Sequence, residues 1–199
     1  MTRLQHTSDR DRICLACRDK PCCSYYTVTV TARDLVRIAR AMQLAPSDFL
    51  SACTVPDGGG GTFLLSPEGP RHAMTLAKRA FPDHTSSPCI FLIGTNDRHS
   101  LCGLGDLRPG QCRTFPSYLA NDFVSLVNAP PGCVRTWSYG DVDLDEERRR
   151  IEHASGEEAE HYAAVEKWNR RVREEGRERS FEEYCTFLVN RLLEQEVAS

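Results

Sequence analysis

The sequence predicts an α+β fold, in which a small core of short strands and loops is tied together by cysteines and flanked by N-terminal and C-terminal helices. The chain has 199 residues, of which 40% are apolar, and this is enough for one domain with a helical extension. Nine of the ten cysteines lie between residues 14 and 133, and Glu, Arg and Ala dominate after residue 145. We therefore expect a flexible N-terminus over residues 1–13, a cysteine-cluster domain over 14–140 and a helical extension over 141–199 packed on it.

The first quarter of the chain predicts a loop, a strand and a helix in that order. Residues 14–23 are short and polar, which is typical of a loop held by its cysteines. Residues 25–30 are aromatic and β-branched and predict a strand. Thr31 and Asp34 form a capping pattern, and apolar residues at helical spacing then predict a helix over 32–43. A second short helix is expected near Ser47.

The remaining elements follow from turn residues and composition. A turn at residues 58–61 and short apolar runs predict strands at residues 61–65, 72–78, 89–93, 99–102 and 123–128. From residue 145 a helix is expected to run to about residue 173, with a break near Ser155 and Gly156, and Gly176 ends it. Ser180 and Glu183 form a capping box that begins the last helix, through Leu193.

Charge and hydropathy exclude several classes of partner. Residues 1–140 carry 15 Lys and Arg against 11 Asp and Glu, a net charge of +4, and residues 141–199 carry 10 against 17, a net charge of −7. Neither part has a dense basic run, so nucleic acid is not an expected partner. The sequence contains no apolar run long enough to span a membrane and no secretory signal, so we expect a cytoplasmic location without membrane attachment.

Location decides how the cysteines are interpreted. In a reducing compartment a high cysteine count indicates metal binding or catalysis, whereas in a secreted chain it would indicate disulfides. The two residues between Cys14 and Cys17 allow both thiolates to reach one ion. We expect eight metal ligands: Cys14, Cys17, Cys22, Cys23, Cys89, Cys102, Cys112 and Cys133.

The ligand chemistry favours zinc or an iron–sulfur cluster over magnesium or calcium, because thiolates are soft ligands. Eight sulfurs suit two four-cysteine zinc sites or one [4Fe–4S] cluster with the remaining cysteines elsewhere, and spacing does not decide between them. Cys22 and Cys23 are adjacent, so their side chains diverge and are expected to serve different metal atoms or different roles. Cys53 and Cys185 lie outside the clusters and are expected to be core residues on helices.

Two arginines flank Cys112 in a segment stiffened by prolines. Arg108 and Arg113 are candidates to compensate the thiolates or to bind an anionic cofactor or substrate, because a guanidinium keeps its charge and donates several hydrogen bonds. The alternative is that each arginine fastens a loop. His72, His84 and His99 lie among the cysteine segments, and His99 is the best placed to replace a cysteine ligand. The glycine run at residues 58–61 is too isolated to indicate a phosphate loop.

The order of these motifs resembles a known family. Cys14-x2-Cys17-x4-Cys22-Cys23, Pro88-Cys89, Cys102, Arg108-Pro-x2-Cys112-Arg-x-Phe-Pro116 and Pro131-Gly-Cys133 together look like the YkgJ-type cysteine-cluster family, described as a zinc- or iron-chelating CxxCxxCC domain. The resemblance covers residues 14–133 and implies a bound metal without an assigned reaction. In this chain four residues, rather than two, precede the Cys-Cys pair.

Three functions are consistent with these motifs. The first is a metal-binding protein whose zinc or iron–sulfur centre is structural or carries electrons, with a protein partner as one option. The second is an iron–sulfur enzyme, protein-modifying or redox, with the arginines near Cys112 at its site. The third is a protein-interaction module stapled by zinc, with the acidic tail as its binding surface. No catalytic residue is assigned by the sequence.

Overall fold

The computed structural model describes residues 13, 14, 17, 20–56, 59–79, 87–94, 100–127, 133 and 136–198, without the side chains of residues 196 and 198. Most of the N-terminal segment expected to be flexible lies outside the described residues. Helices and small antiparallel sheets together give an α+β fold, as predicted. In the described part of the chain no helix has the length and apolar character needed to cross a bilayer.

The chain divides into two compact units, each assembled from separate stretches. The first unit comprises residues 1–26, 78–105 and 113–152, and the second comprises residues 27–77, 106–112 and 153–199. The predicted boundary at residue 140 stays a prediction.

The described residues of the first unit include a short helix, two hairpins and the beginning of a long helix. Helix α1 spans Pro21–Tyr25. Strand β4 (Leu92–Gly94) pairs with β5 (Ser100–Cys102), and β6 (Ser117–Ala120) pairs with β7 (Phe123–Leu126), both antiparallel. Asn121 and Asp122 join β6 to β7 with positive φ angles of 49° and 64°, as a two-residue hairpin turn requires.

The second unit contains a three-stranded sheet covered by helices. The sheet consists of β1 (Leu50–Val55), β2 (Phe63–Leu64) and β3 (Arg71–Leu76), in the antiparallel order β1-β3-β2. The helices are α2 (Ala32–Met42), α3 (Pro46–Phe49) and α6 (Phe181–Ala198). Two further helices cross the division between the units: α4 (Gly110–Thr114) and α5 (Leu144–Glu175).

The core of the second unit is aromatic. Phe63 of β2 stacks on Tyr184 of α6 with ring centroids 3.9 Å apart, and Trp168 of α5 meets the Tyr184 ring edge-on at 5.4 Å. All three side chains are buried. Trp168 Nε1 donates to the carbonyl of Leu64 at 2.7 Å, so its polar atom is satisfied inside the core. The neighbouring Asn169 accepts from Leu64 N at 2.8 Å and donates to Thr62 O at 2.9 Å.

The predicted helix starts are confirmed because they depend on local contacts. Thr31 Oγ1 accepts from Asp34 N at 3.1 Å while Asp34 Oδ2 accepts from Thr31 N at 3.1 Å. Ser180 and Glu183 make the equivalent reciprocal pair at the start of α6, at 3.0 and 2.8 Å. Gly176 has φ 63° and follows the last residue of α5, as predicted.

Several local predictions are wrong. Residues 21–25 are helical rather than loop or strand, because Pro21 at the first helical position has a φ suited to a helix start. The strand expected at 25–30 is reduced to residues 28–30, which pair with β3 through Val30 N to Met74 O and Leu76 N to Val28 O, both at 2.9 Å. Helix α5 continues through Ser155 and Gly156, since one glycine costs only about 1 kcal/mol in a helix.

Strands β1 and β6 and helix α4 have no counterpart in the prediction. Cys53 lies in β1 rather than in a helix, and its side chain is exposed rather than in the core. Alternation along a strand turns successive side chains to opposite faces, and Cys53 occupies the open face. Cys185 is buried in α6, as predicted.

Candidate metal centre

The first expected ligands lie around a buried lysine. Lys20 is 6% exposed, and its ammonium donates to the carbonyl of Cys14 and, at 2.7 Å, to that of Cys17. The amide of Cys17 donates to the carbonyl of Cys14 at 3.3 Å, which holds the two cysteines near each other. Lys20 adopts the left-handed backbone conformation with φ 42°. This conformation costs free energy in a residue other than glycine, and the hydrogen bonds of the Lys20 side chain offset that cost. Lys20 therefore ties the backbone carbonyls of Cys14 and Cys17 to one cation.

The adjacent cysteines follow directly in α1. Cys23 N donates to Lys20 O at 2.9 Å. A hydrogen bond from the Cys23 side chain lowers the pKa of Cys22 to about 6, burial opposes this, and the Cys23 amide and the charge of Lys20 assist it. The thiolate is the form of cysteine that binds a metal. Cys22 is thus held in an environment that favours its ligand form.

A backbone junction brings the central cysteines to the N-terminal ones. Cys89 N donates to the carbonyl of Cys23 at 2.7 Å, and Lys78 Nζ donates to the same carbonyl at 3.0 Å. Lys78 also pairs with Cys89 in an isolated antiparallel bridge. Cysteines that are far apart in the sequence are therefore neighbours in the first unit.

Cys89 and Cys102 lie at the base of the β4–β5 hairpin. Leu92 N donates to Cys89 O at 2.9 Å, and Leu92 is the cross-strand partner of Cys102. Burial raises the pKa of Cys89, and the Cys102 thiol raises it further, while a hydrogen bond from the Phe91 amide and the charges of Lys78 and Arg79 lower it. An amide donor to sulfur is a common feature of metal–thiolate sites.

The remaining expected ligands are half-buried. Cys133 belongs to the first unit, and its immediate neighbours in sequence lie outside the described residues. Cys112 belongs to the second unit and lies in α4, where its amide donates to Pro109 O at 2.9 Å. Arg108 and Arg113 are also half-buried, on either side of it.

Side chains of the second unit hold the α4 segment, and no sequence pattern indicated this role for them. Asp34 is 1% exposed, and its carboxylate accepts from Gly110 N at 3.2 and 3.4 Å. Gln111 Oε1 accepts from Thr29 N at 2.8 Å and from Thr29 Oγ1 at 3.1 Å. The capping pattern had identified Asp34 as a helix start, but nothing in the sequence indicated its contact with Gly110.

Asp34 also belongs to a buried charged group. Arg37 donates to Asp34 and, at 2.9 Å, to Glu157 of α5. Burial raises the pKa of Asp34 and Glu157 raises it further, against hydrogen bonds from Thr31 and the charge of Arg37, which lower it. The ion pair between Arg37 and Glu157 therefore anchors α2 to α5 within the second unit.

The complete ligand set stays a prediction. Among the described residues no group of three or more Cys, His, Asp or Glu side chains is arranged to bind one ion. His72 lies in β3, where its ring contacts Phe63 at 5.6 Å, and His84 and His99 lie outside the described residues. The chemistry of the described cysteines, with amide donors and lysines beside thiols, fits zinc or an iron–sulfur cluster.

Comparison with known proteins adds no relative. No family model, curated protein or solved structure matches the chain. The resemblance to the YkgJ-type family therefore depends on the cysteine and arginine motifs themselves.

Proposed function

We propose that this chain is a metal-binding protein that holds a zinc ion or an iron–sulfur cluster through its cysteine cluster. The observation that carries the proposal is the hydrogen bond from Cys89 N to Cys23 O at 2.7 Å. It joins the C-x4-C-C segment to the hairpin that carries Cys102. The proposed ligands are those expected from the sequence: Cys14, Cys17, Cys22, Cys23, Cys89, Cys102, Cys112 and Cys133.

The charges around this junction support an anionic centre. A metal bound by several thiolates carries net negative charge, and neighbouring cations and amide donors stabilise it. Lys20 and Lys78 donate to cysteine carbonyls, and Arg79 Nη2 donates to Ile90 O at 2.7 Å, next to Cys89. These three contacts to backbone carbonyls therefore place positive charge beside several cysteines of the first unit.

The experiment that tests the proposal is elemental analysis with a visible spectrum on protein purified without oxygen. Iron and acid-labile sulfide in equal amounts, with broad visible absorption, would identify a cluster. Zinc without colour would identify a thiolate zinc site. Protein that contains neither metal, and that does not bind either one on reconstitution, would contradict the proposal.

Matched cysteine variants localise the metal. Cys22→Ser and Cys89→Ser should lower the metal content, whereas Cys53→Ser should leave it unchanged because Cys53 is exposed on β1. Removal of the metal should destabilise the fold strongly, since structural zinc binding contributes on the order of 10 kcal/mol. Equal metal content in all three variants would contradict the assignment of the ligands.

The same preparation separates the two alternative functions. An iron–sulfur enzyme with Arg108 and Arg113 at its site requires a cluster, and its activity should be lost in Arg113→Ala while the cluster is retained. A zinc-stapled interaction module requires zinc, and its partner should be lost when the acidic residues of the C-terminal extension are neutralised.

A further inference from the structure

The second unit contains a cleft that no part of the proposed metal centre occupies. Its volume is about 550 Å³, and its walls are the segment from Gly59 to Thr62, the start of β3 at Arg71, and one face of α5. The residues of α5 that line it recur at helical spacing: Tyr162, Val165, Glu166, Asn169, Arg170, Arg173 and Glu174. A volume of this size is in the range of small-molecule sites.

One wall of the cleft depends on glycine. The Tyr162 ring lies against the backbone of Gly60 and Gly61, where a Cβ on Gly61 would be 2.3 Å from Tyr162 Cε1. Gly61 also has φ 76°, a conformation that favours glycine. The Tyr162 hydroxyl donates to Glu158, which fixes the ring in this position. The wall is therefore preformed, with an aromatic side chain held at the edge of the cleft.

Three arginines line the cleft. Arg71 is half-buried, and its Nη1 donates to Thr62 O and Thr62 Oγ1 at 3.3 Å each, which orients the guanidinium. Arg170 and Arg173 are exposed, and neither forms an ion pair or side-chain hydrogen bond with another residue in the described part of the chain. Glu166 and Glu174, four residues before and after Arg170, are not within ion-pair distance of it in the same described ranges.

Arg171, next to Arg170 on α5, differs from the two arginines of this helix that line the cleft. Arg171 is not part of the lining, and its Nε pairs with Glu175 Oε1 at 2.7 Å. On α5, the arginine outside the cleft is therefore paired with a glutamate, whereas the two arginines that line the cleft are available to a ligand. With Glu166 and Glu174 the lining has a net charge of +1, from three arginines and two glutamates. Recognition of a ligand here thus depends on hydrogen bonds from the guanidinium groups rather than on a strong positive electrostatic potential.

We propose that this cleft binds a small oxyanion with two negative charges, a phosphate or a dicarboxylate, through Arg170, Arg173 and Arg71. The planar guanidinium presents paired N–H donors that match the oxygens of phosphate and carboxylate groups. Arg71 supplies a fixed donor from the sheet, and Arg170 and Arg173 supply donors from the helix. An aromatic or aliphatic body on the ligand packs against the Tyr162 ring.

The test is calorimetric titration of the full-length protein with inorganic phosphate, phenyl phosphate and succinate. These anions chelate metals weakly and so leave a bound metal in place. Saturable binding of at least one of them is expected, and the tighter class identifies the phosphate or the carboxylate as the recognised group. Arg170→Gln combined with Arg173→Gln should weaken it about ten- to a hundredfold, the loss expected for charge-assisted hydrogen bonds. Arg171→Gln should leave it unchanged.

Three results would overturn the proposal. The first is the absence of saturable heat with all three anions. The second is an equal loss of affinity in Arg171→Gln, which would indicate general charge attraction. The third is binding that disappears when sodium chloride matches the ionic strength of the titrant. Circular dichroism of each variant checks that the fold is retained.

Discussion

The carboxylate of Asp34, at the first turn of α2, accepts a hydrogen bond from the backbone amide of Gly110, with Gly110 N 3.2 Å from Asp34 Oδ1. Gly110 begins the helix that carries Cys112, so one buried acid caps α2 and also fastens the segment of an expected metal ligand. Asp34 therefore links the stability of the second unit to the position of that segment.

Asp34→Asn should destabilise the protein by about 1–3 kcal/mol at neutral pH. The amide keeps the size of the side chain but cannot accept from Thr31, Arg37 and Gly110 together, and a buried donor is left unsatisfied. Urea denaturation measures the loss. Asp48→Asn is the matched control, because Asp48 caps α3 through Ala45 N at 2.9 Å and is exposed. An equal loss in both variants would show that capping alone explains the effect of Asp34.

The difference in stability between the wild type and Asp34→Asn should change with pH in a defined direction. The pKa of Asp34 is raised, by burial first and by Glu157 next, so the folded protein takes up the proton before the unfolded chain does on acidification. The stability contributed by Asp34 therefore rises as the pH falls through its folded-state pKa. The difference in unfolding free energy between wild type and Asp34→Asn should grow from pH 7 to pH 4. A difference that shrinks would contradict this assignment.

Lys78→Met should weaken metal retention. Methionine keeps an apolar stem of similar length but removes the donor to Cys23 O, which lies 3.0 Å from Lys78 Nζ. Because hydrogen bonds from a charged group contribute about 1.5–3 kcal/mol, release of the metal to a chelator should be about tenfold faster. Lys167→Met, at an exposed position of α5, is the control. Equal release rates in the two variants would show that the Lys78 contact does not support the centre.

His161 should make the protein sensitive to mild acid. It is 5% exposed in α5, and burial lowers its pKa to about 4. The unfolded value is about 6.5, so the unfolded chain takes up the proton first and stability is lost as the pH falls below about 6.5, by about 2 kcal/mol at pH 5. His161→Phe should remove that part of the loss between pH 7.5 and pH 5, as measured by thermal denaturation. His153→Phe, at an exposed position of the same helix, should not change the slope.

Gly61→Ala should cost more than Gly105→Ala, although both glycines have positive φ angles, 76° and 51°. A Cβ on Gly105 meets no described atom within 4 Å, so only the backbone strain of about 1 kcal/mol is expected there. A Cβ on Gly61 overlaps the Tyr162 ring, which adds about 1–3 kcal/mol. The Tyr162→Ala background should reduce the cost of Gly61→Ala to the strain alone. Additive losses in the double variant would show that the ring does not press on Gly61.

Asn169→Asp should destabilise by about 3 kcal/mol at neutral pH. The change replaces the Nδ2 donor to Thr62 O with an acceptor and places a charge at a site that is 6% exposed. Asn190→Asp in α6 is the matched control, since Asn190 is exposed. Chemical denaturation of both variants measures the difference, and a loss below about 1 kcal/mol for Asn169→Asp would contradict the buried contact.

Local chemistry made part of this fold predictable. The caps at Thr31 and Ser180 and the end of α5 at Gly176 depend on residues within one turn of each other, and all three were predicted. Strand β1 could not be predicted, because Leu50–Val55 becomes a strand only by pairing with β3, which follows the intervening strand β2. The exposed position of Cys53 follows from that pairing and was missed for the same reason.

The candidate site, like the fold, was only partly predictable from the sequence. Cysteine spacing gave only the candidate residues, and the junction of Cys23 with Cys89, the burial of Lys20 and the contact of Asp34 with Gly110 depend on chain segments that meet only in the fold. The cleft beside Gly60 was missed because its arginines, Arg71 and Arg170, are far apart in the sequence, with most of the first unit between them. The glycine run at residues 58–61 gave no reason to expect a ligand, because these arginines do not lie near it in the sequence.

The side chains of Trp168 and Asn169 have a consequence for how the protein behaves at high concentration. Strand β2 is one of the two outer strands of its sheet, and the edges of such strands recruit strands from other molecules when their amides and carbonyls are unpaired. Trp168 binds Leu64 O, and Asn169 binds Leu64 N and Thr62 O. One turn of α5 thereby takes the place of a fourth strand and closes this edge to intermolecular β-pairing, the first step toward aggregation.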